Sequence, residues 1–239
     1  MIDSLLTKLR ARDEVSAEEE AALRRAAGRA YTYPQGSTLV REGDRPTESK
    51  LLVNGYCARS TTLAGGGRQF TAIHVAGDFI DLPSMILKVM DHDLCAITDC
   101  EVVAFPHEAL REVTAKHPHL GRMLWLTTLI DAAIHRQWIV AMGRRSSEMR
   151  AAHLFCELKT LLDLVGQAEE DGFVFPVSQE LLSDALGLSP VHTNRVLQRL
   201  RARGVLKWNG ARVTLPDWDA LVELAEFDPA YLQITAEPR

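Results

Sequence analysis

Cysteine is scarce in this sequence. Its 239 residues hold four, Cys57, Cys95, Cys100 and Cys156, too few and too dispersed for a disulfide framework, so a reducing cytoplasm is the expected compartment. Long apolar runs are missing too. The opening stretch MIDSLLTKLRARDEVSAEEEAAL scatters charges throughout, which argues against a signal peptide, a membrane helix and a membrane partner. It reads as surface helices, the second started by a capping box of Ser16 and Glu19. Positive charge is not in surplus: the net charge is −5 at pH 7 and the pI about 5.9. Contact with nucleic acid must therefore come from a local basic module on an acidic body. A Walker-type loop, GxSxG and HExxH are all absent, so no catalytic residue is predicted and an enzyme is disfavoured. His74, His92, His107, His117 and His119 fall at no convincing ligand spacing, so no metal site is predicted. Cys95 and Cys100, five apart on expected β structure, read as buried thiols rather than a redox pair, and Cys156 as a packing residue.

The stretch LSPVHTNRVLQRL carries the most information. With Ser189 as N-cap, Pro190 falls at the first helical position, where its missing N–H costs nothing and its fixed φ suits the turn. Val196, Leu197 and Leu200 then recur at helical spacing, leaving His192, Thr193, Asn194, Arg195, Gln198 and Arg199 on other faces. Arginine can grip guanine, and asparagine or glutamine adenine, through paired hydrogen bonds. Upstream, VSQELLSDALGLS offers Ser178 as a cap, a short helix and a glycine turn at Gly187. Two such helices joined this way make a helix-turn-helix. Downstream, VLKWNGARVTL reads as a hairpin wing, with Asn209-Gly210 suited to a type I′ turn. Arg195, Arg199, Arg201, Arg203, Lys207 and Arg212 follow one another with no intervening acid, a phosphate-facing run. The expected DNA-facing set is Ser178, Gln179, Ser189, Val191, His192, Thr193, Asn194, Arg195, Gln198, Arg199, Arg203 and Lys207.

From Tyr33 to about Phe105, short β-rich runs alternate with glycine-bearing turns, the pattern of an antiparallel barrel or jelly roll. A long helical pattern follows from about Leu120 to Gly143. Leu120, Met123, Leu124, Thr127, Ile130, Ile134, Trp138 and Ala141 approximate one stripe along it, which either packs inside its own chain or pairs with its copy in a second chain. Pairing is the favoured expectation, because dimers read two half-sites roughly 34 Å apart. The fold class is thus α+β: N-terminal helices over residues 1–30, an antiparallel β-roll over 31–112, a central dimerisation helix over 113–143 and a winged helix-turn-helix over 144–239.

This order of parts, with GRRSSEMRAAHLFCEL before the winged module and LGLSPVHTNRVLQRLRARG ending it, resembles the Crp/Fnr superfamily of bacterial transcription regulators. LLVNGYCARS and AGDFIDL are similar to that family's sensory fold. The resemblance implies a homodimer that senses a signal in the roll and holds double-stranded promoter DNA, with RNA polymerase as a further partner of an activator. Arg195 matches the family's base-contacting arginine. The glutamate usual four residues earlier is Val191 here, which can meet a thymine methyl but not a cytosine amine, so Asn194 and His192 become candidate readers. His192 equally suits a phosphate contact. Cyclic-nucleotide binders use a GEL turn and a downstream arginine with serine or threonine. Here the turn reads GDFIDLPSM and the later segment VMDHDLCAI, placing Met90 and Asp91 where a phosphate needs a cation. An effector pocket is expected near Asp78, Phe79, Asp81, Leu82, Met90, Asp91 and His92, for an unidentified small molecule or none. Cyclic AMP is disfavoured. With no cysteine before Cys57, the iron-sulfur ligation of other members is disfavoured too. Haem or redox sensing within the family, and a regulatory or enzymatic chain using the roll as a ligand module, are the alternatives.

Overall fold

The computed structural model describes residues 1–237 and has the α+β architecture. Two helices, α1 (Asp3–Arg10) and α2 (Ala17–Ala26), precede the roll. Ser16 and Glu19 form the reciprocal capping box at the start of α2. These helices are less superficial than their charge suggests, for Ile2, Leu5, Leu6 and Leu9 are all buried under the roll.

The roll consists of β1 (Ala30–Tyr33), β2 (Thr38–Val40), β3 (Glu48–Asn54), β4 (Cys57–Thr62), β5 (Arg68–His74), β6 (Asp93–Ala96) and β7 (Cys100–Pro106). They form two antiparallel sheets, ordered β1-β7-β3 and β2-β6-β4-β5. Between the sheets lie Leu39, Leu52, Ile80, Met90, Leu94 and Val102. The turn after β5 depends on Gly77. Its φ is +85°, and a Cβ there would stand 2.7 Å from the Ser4 carbonyl oxygen, so α1 can lie on the turn only because this residue has no side chain.

Helix α3 (His107–Lys116) leads into the 27-residue α4 (Pro118–Arg144), which begins with proline at its first position. The stripe offered above as a dimer seam packs within the chain. Leu120, Met123 and Leu124 are enclosed with α1, α2 and the roll; Trp138 lies in the C-terminal core, with Ile134 packed against it. Ile130 and Ala141 are buried and Thr127 half-buried. Of the two partners open to this stripe, its own chain claims it, because the roll and the C-terminal module flank α4 on that side.

After α4 come α5 (Ser147–Leu164), a four-stranded sheet, and helices α6 (Gln179–Leu186), α7 (Pro190–Ala202) and α8 (Trp218–Ala225). The sheet order is β10 (Lys207–Asn209), β11 (Arg212–Thr214), β9 (Gly172–Val174), β8 (Ala168–Glu169), so the wing is wider than the single hairpin expected. Its tip also differs. Asn209 pairs with Arg212, so Gly210 and Ala211 form the turn, and only Gly210 has a positive φ, +59°. A type I′ turn would need two such residues.

The roll docks directly on the C-terminal module. Arg68 pairs with Asp184 of α6 at 2.6 Å, and the Gln69 amide donates to the Asp184 carbonyl at 2.7 Å. The Tyr56 hydroxyl donates to the Val174 carbonyl at 2.6 Å. Tyr56, Phe70 and Ile73 of the roll share one apolar core with Phe155, Phe175 and Leu182. Among the described residues no helix is long and apolar enough to cross a membrane.

Candidate nucleic-acid interface and sensor region

Local chemistry defines both ends of the helix-turn-helix. Ser178 Oγ accepts from the Leu181 N–H at 3.2 Å and starts α6; Gly187, at φ +61°, ends it. Ser189 Oγ accepts from the His192 N–H at 3.3 Å, and Pro190 opens α7 as its first residue. Loss of either serine hydroxyl removes a cap worth about 1 kcal/mol.

Helix α7 buries Val196, Leu197 and Leu200 completely. Thr193 is also fully buried, and this corrects its place among the DNA-facing residues: its hydroxyl meets Ser183 of α6 at 3.0 Å. Threonine here is a polar pin between the two helices. The exposed face carries Val191, His192, Arg195, Gln198 and Arg199. Asn194 is half-buried, donating to Gln179 at 3.0 Å and accepting from Gln198 at 2.9 Å, so three amides run across the face as one chain.

The basic run is less cationic than its sequence. Glu148 of α5 accepts from Arg199 at 2.6 Å and from Arg203 at 3.1 Å. Glu169 and Asp171 hold Arg212 at 2.6 and 2.9 Å. Arg201 donates to the Trp208 carbonyl. Arg195 and Lys207 make no such contact among the described residues and stand exposed. Sequence reasoning missed these acids because they stand 41 to 55 positions before the arginines they hold, on other elements.

The residues expected at an effector pocket do not converge. Asp78 pairs with Lys8 of α1 at 2.6 Å, and together with Phe79 and Leu82 it lines a small, partly open cavity of about 60 Å³. Asp81 is buried and accepts from the Lys50 N–H, with burial raising its carboxyl to about 6. Met90 is buried between the sheets. Asp91 and His92 instead border a cavity of about 520 Å³ between β4, β5 and α4. Its polar wall centres on Arg59, which the sequence did not single out. Arg59 is 7% exposed and pairs with Asp131 of α4 at 2.9 Å. It also donates to His92 Nε2 at 3.2 Å and contacts His135 Nε2. Burial and the guanidinium lower the His92 imidazole; burial likewise lowers His135, opposed by Asp131 and reinforced by Arg59.

Burial pushes the Cys100 thiol up to about 11 and Cys156 to about 12, the reverse of a reactive cysteine. Cys95 and Cys57 are raised by burial as well. Among the described residues no group of three or more His, Cys, Asp or Glu side chains is placed to hold a metal ion.

A roll followed by a winged helix-turn-helix also appears when the chain is compared with known proteins. Residues 31–117 match the cyclic nucleotide-binding domain and residues 150–224 the Crp-like helix-turn-helix domain. The chain belongs to the Crp/Fnr family. It is 27% identical over 201 residues to the transcriptional activator protein FnrL of Cereibacter sphaeroides, covering 82% of this chain and 80% of that one. The fumarate and nitrate reduction regulatory protein of Escherichia coli K12 is 23% identical, covering 80% and 76%. The solved structure of FixK2 from Bradyrhizobium japonicum superposes with a TM-score of 0.75 at 23% identity, covering 83% of this chain and 96% of FixK2. As a Crp/Fnr regulator the chain is a DNA-binding protein of transcription control, and α6 and the capped α7 both lie within the matched helix-turn-helix domain.

Proposed function

We propose that this Crp/Fnr chain is a homodimeric, sequence-specific regulator of transcription that reads promoter DNA with α7 and uses the roll to set the geometry of that helix. The observation that carries the reading is Arg195: exposed on α7, without a partner among the described residues, and flanked on the same face by Val191 and Gln198. An arginine so placed is free to take guanine O6 and N7, while valine at the amino end favours a thymine methyl over a cytosine. The serine caps Ser178 and Ser189, with Gln179, fit backbone-positioning roles, and Lys207 on the wing fits a phosphate contact. His192 stands in the first turn, where phosphate is the nearer partner.

Dimerisation belongs to the face of α4 opposite the buried stripe. Trp125, Leu129 and Ile139 are 66%, 49% and 70% exposed. With Ala132, Arg136 and Gly143 they fall alternately four and three residues apart, the 3.5-residue repeat of a two-helix seam. Relatives named as activators favour activation, with RNA polymerase as the added partner, in the cytoplasm. Met90 is in the roll core and the guanidinium of Arg59 is engaged by Asp131 rather than free for a cyclic phosphate, which supports the reading that cyclic AMP is not the signal.

The test is selection from a randomised duplex pool with the full chain and with Arg195→Ala. The substitution should cost about 1–3 kcal/mol and erase preference at one position of each half-site. An unchanged selected sequence would remove α7 as the reader.

A further inference from the structure

A cavity between a sensory roll and a long helix invites a bound effector, because a molecule touching both walls can shift how they sit. An effector acts only through contacts that differ between two arrangements. In this chain those contacts already exist as side chains. Arg59 comes from β4, Asp131 from α4, 72 positions apart, and the pair is nearly two-pronged: Nη2 to Oδ2 at 2.9 Å and Nη1 to Oδ1 at 3.4 Å. The remaining edge of the guanidinium is used as well, with Nε donating to His92 Nε2. The carboxylate responds: burial alone would raise Asp131, yet Arg59, with His74 and His135 beside it, holds it below the ordinary carboxylate range. What is left of the cavity wall is largely apolar, including Phe70, Pro83, Leu87, Trp138, Ile139 and Met142. No unspent cation remains there to recognise an anion, and the wall's other carboxylate, Asp91, is spent on His92.

We propose that Arg59 and Asp131 together occupy the sensor site as a built-in replacement for a ligand, joining the roll to α4 and holding the DNA-binding arrangement with no small molecule bound. This rests on the regulator reading above. Arg59 and Asp131 are positioning residues, acting on DNA through α4 and the helices that follow. The same strand pair continues to the module itself, since Arg68 and Gln69 of β5 hold Asp184 and its carbonyl on α6.

The experiment compares DNA affinity of the full chain as isolated and after denaturation, dialysis and refolding to strip any small molecule, using the selected operator. Equal affinity in both, and no change on adding cyclic AMP or cyclic di-GMP, is the expected result. Asp131→Asn should weaken operator binding at least about tenfold while light scattering still reports a dimer; Arg59→Lys, which keeps charge but loses the planar fork, should fall between. Should Asp131→Asn fail to fold, the stripping comparison on the native chain still decides. Binding by the isolated protein that disappears on stripping, though the refolded chain remains a folded dimer, overturns the built-in pair and leaves the regulator reading standing. Unaltered affinity in Asp131→Asn overturns it too. No sequence-selective binding in either preparation overturns the regulator reading and this inference with it.

Discussion

Glu157 shows how much one side chain can owe to its surroundings. It lies on α5 at 2% exposure, accepting from the Trp138 indole of α4 at 2.8 Å and from the Tyr231 hydroxyl at 2.6 Å. Burial pushes its carboxyl up to about 7, against two hydrogen bonds and the charge of Arg145, which pull it down. In the unfolded chain the ordinary value is 4.5. Between those two values the native state holds a proton that the unfolded state has released. Raising pH through this window therefore favours unfolding, by roughly 1.4 kcal/mol per unit, and the penalty is complete above about pH 7. Glu157→Gln, which cannot ionise, should flatten the dependence. Calorimetric melting at pH 5, 6, 7 and 8 checks this: the native protein should lose stability relative to the variant from pH 5 to about 7 and level off towards 8, and curves parallel throughout would place the titration elsewhere. No pattern in HLFCELKTLL announces such a carboxylate, because the enclosing Trp138 and Tyr231 come from distant parts of the chain.

Helix α7 and its neighbours divide into what local chemistry dictates and what it does not. Ser189, Pro190 and Gly187 act on their own backbone, so the start of α7 and the end of α6 were readable from the sequence. Glycine turns and β-branched runs likewise marked the roll. Thr193 was misplaced because it adjoins outward residues, and only the approach of Ser183 reveals that it faces α6. The charge run misled for a related reason: sequence proximity counts cations and ignores acids folded against them. This has a measurable consequence. Lys207→Ala should reduce the dependence of log affinity on log salt by about one contact, since an unpaired wing lysine releases a counterion on binding. Arg212→Ala should change it much less, because Glu169 and Asp171 already neutralise that guanidinium. Titrations by fluorescence anisotropy at several salt concentrations distinguish the two; equal slopes for both variants would show that DNA strips Arg212 from its acids.

The proposed dimer uses the face of α4 that the chain leaves uncovered. A helix of 27 residues flanked by roll and winged module on one side has to hide that side, so the most apolar stripe was consumed internally. Hydrophobicity alone could not separate the two stripes, since both recur at about the same period; the exposed Trp125, Leu129 and Ile139 become distinctive only once their opposite neighbours are covered. The two faces make opposing predictions. Ile139→Asp places a charge in the proposed seam, where pairing would bury it without a partner, and should give folded monomers with little change in melting temperature. Ile134→Asp strikes the chain's own core and should cost roughly 2–4 kcal/mol of stability whatever the oligomeric state. Losing the second half of the dimer should weaken operator binding by about 10²–10⁴-fold, because each module then binds without its tethered twin. Light scattering joined to calorimetry reads both variants. A dimeric Ile139→Asp that binds the operator as the native chain does would move the seam off this face of α4.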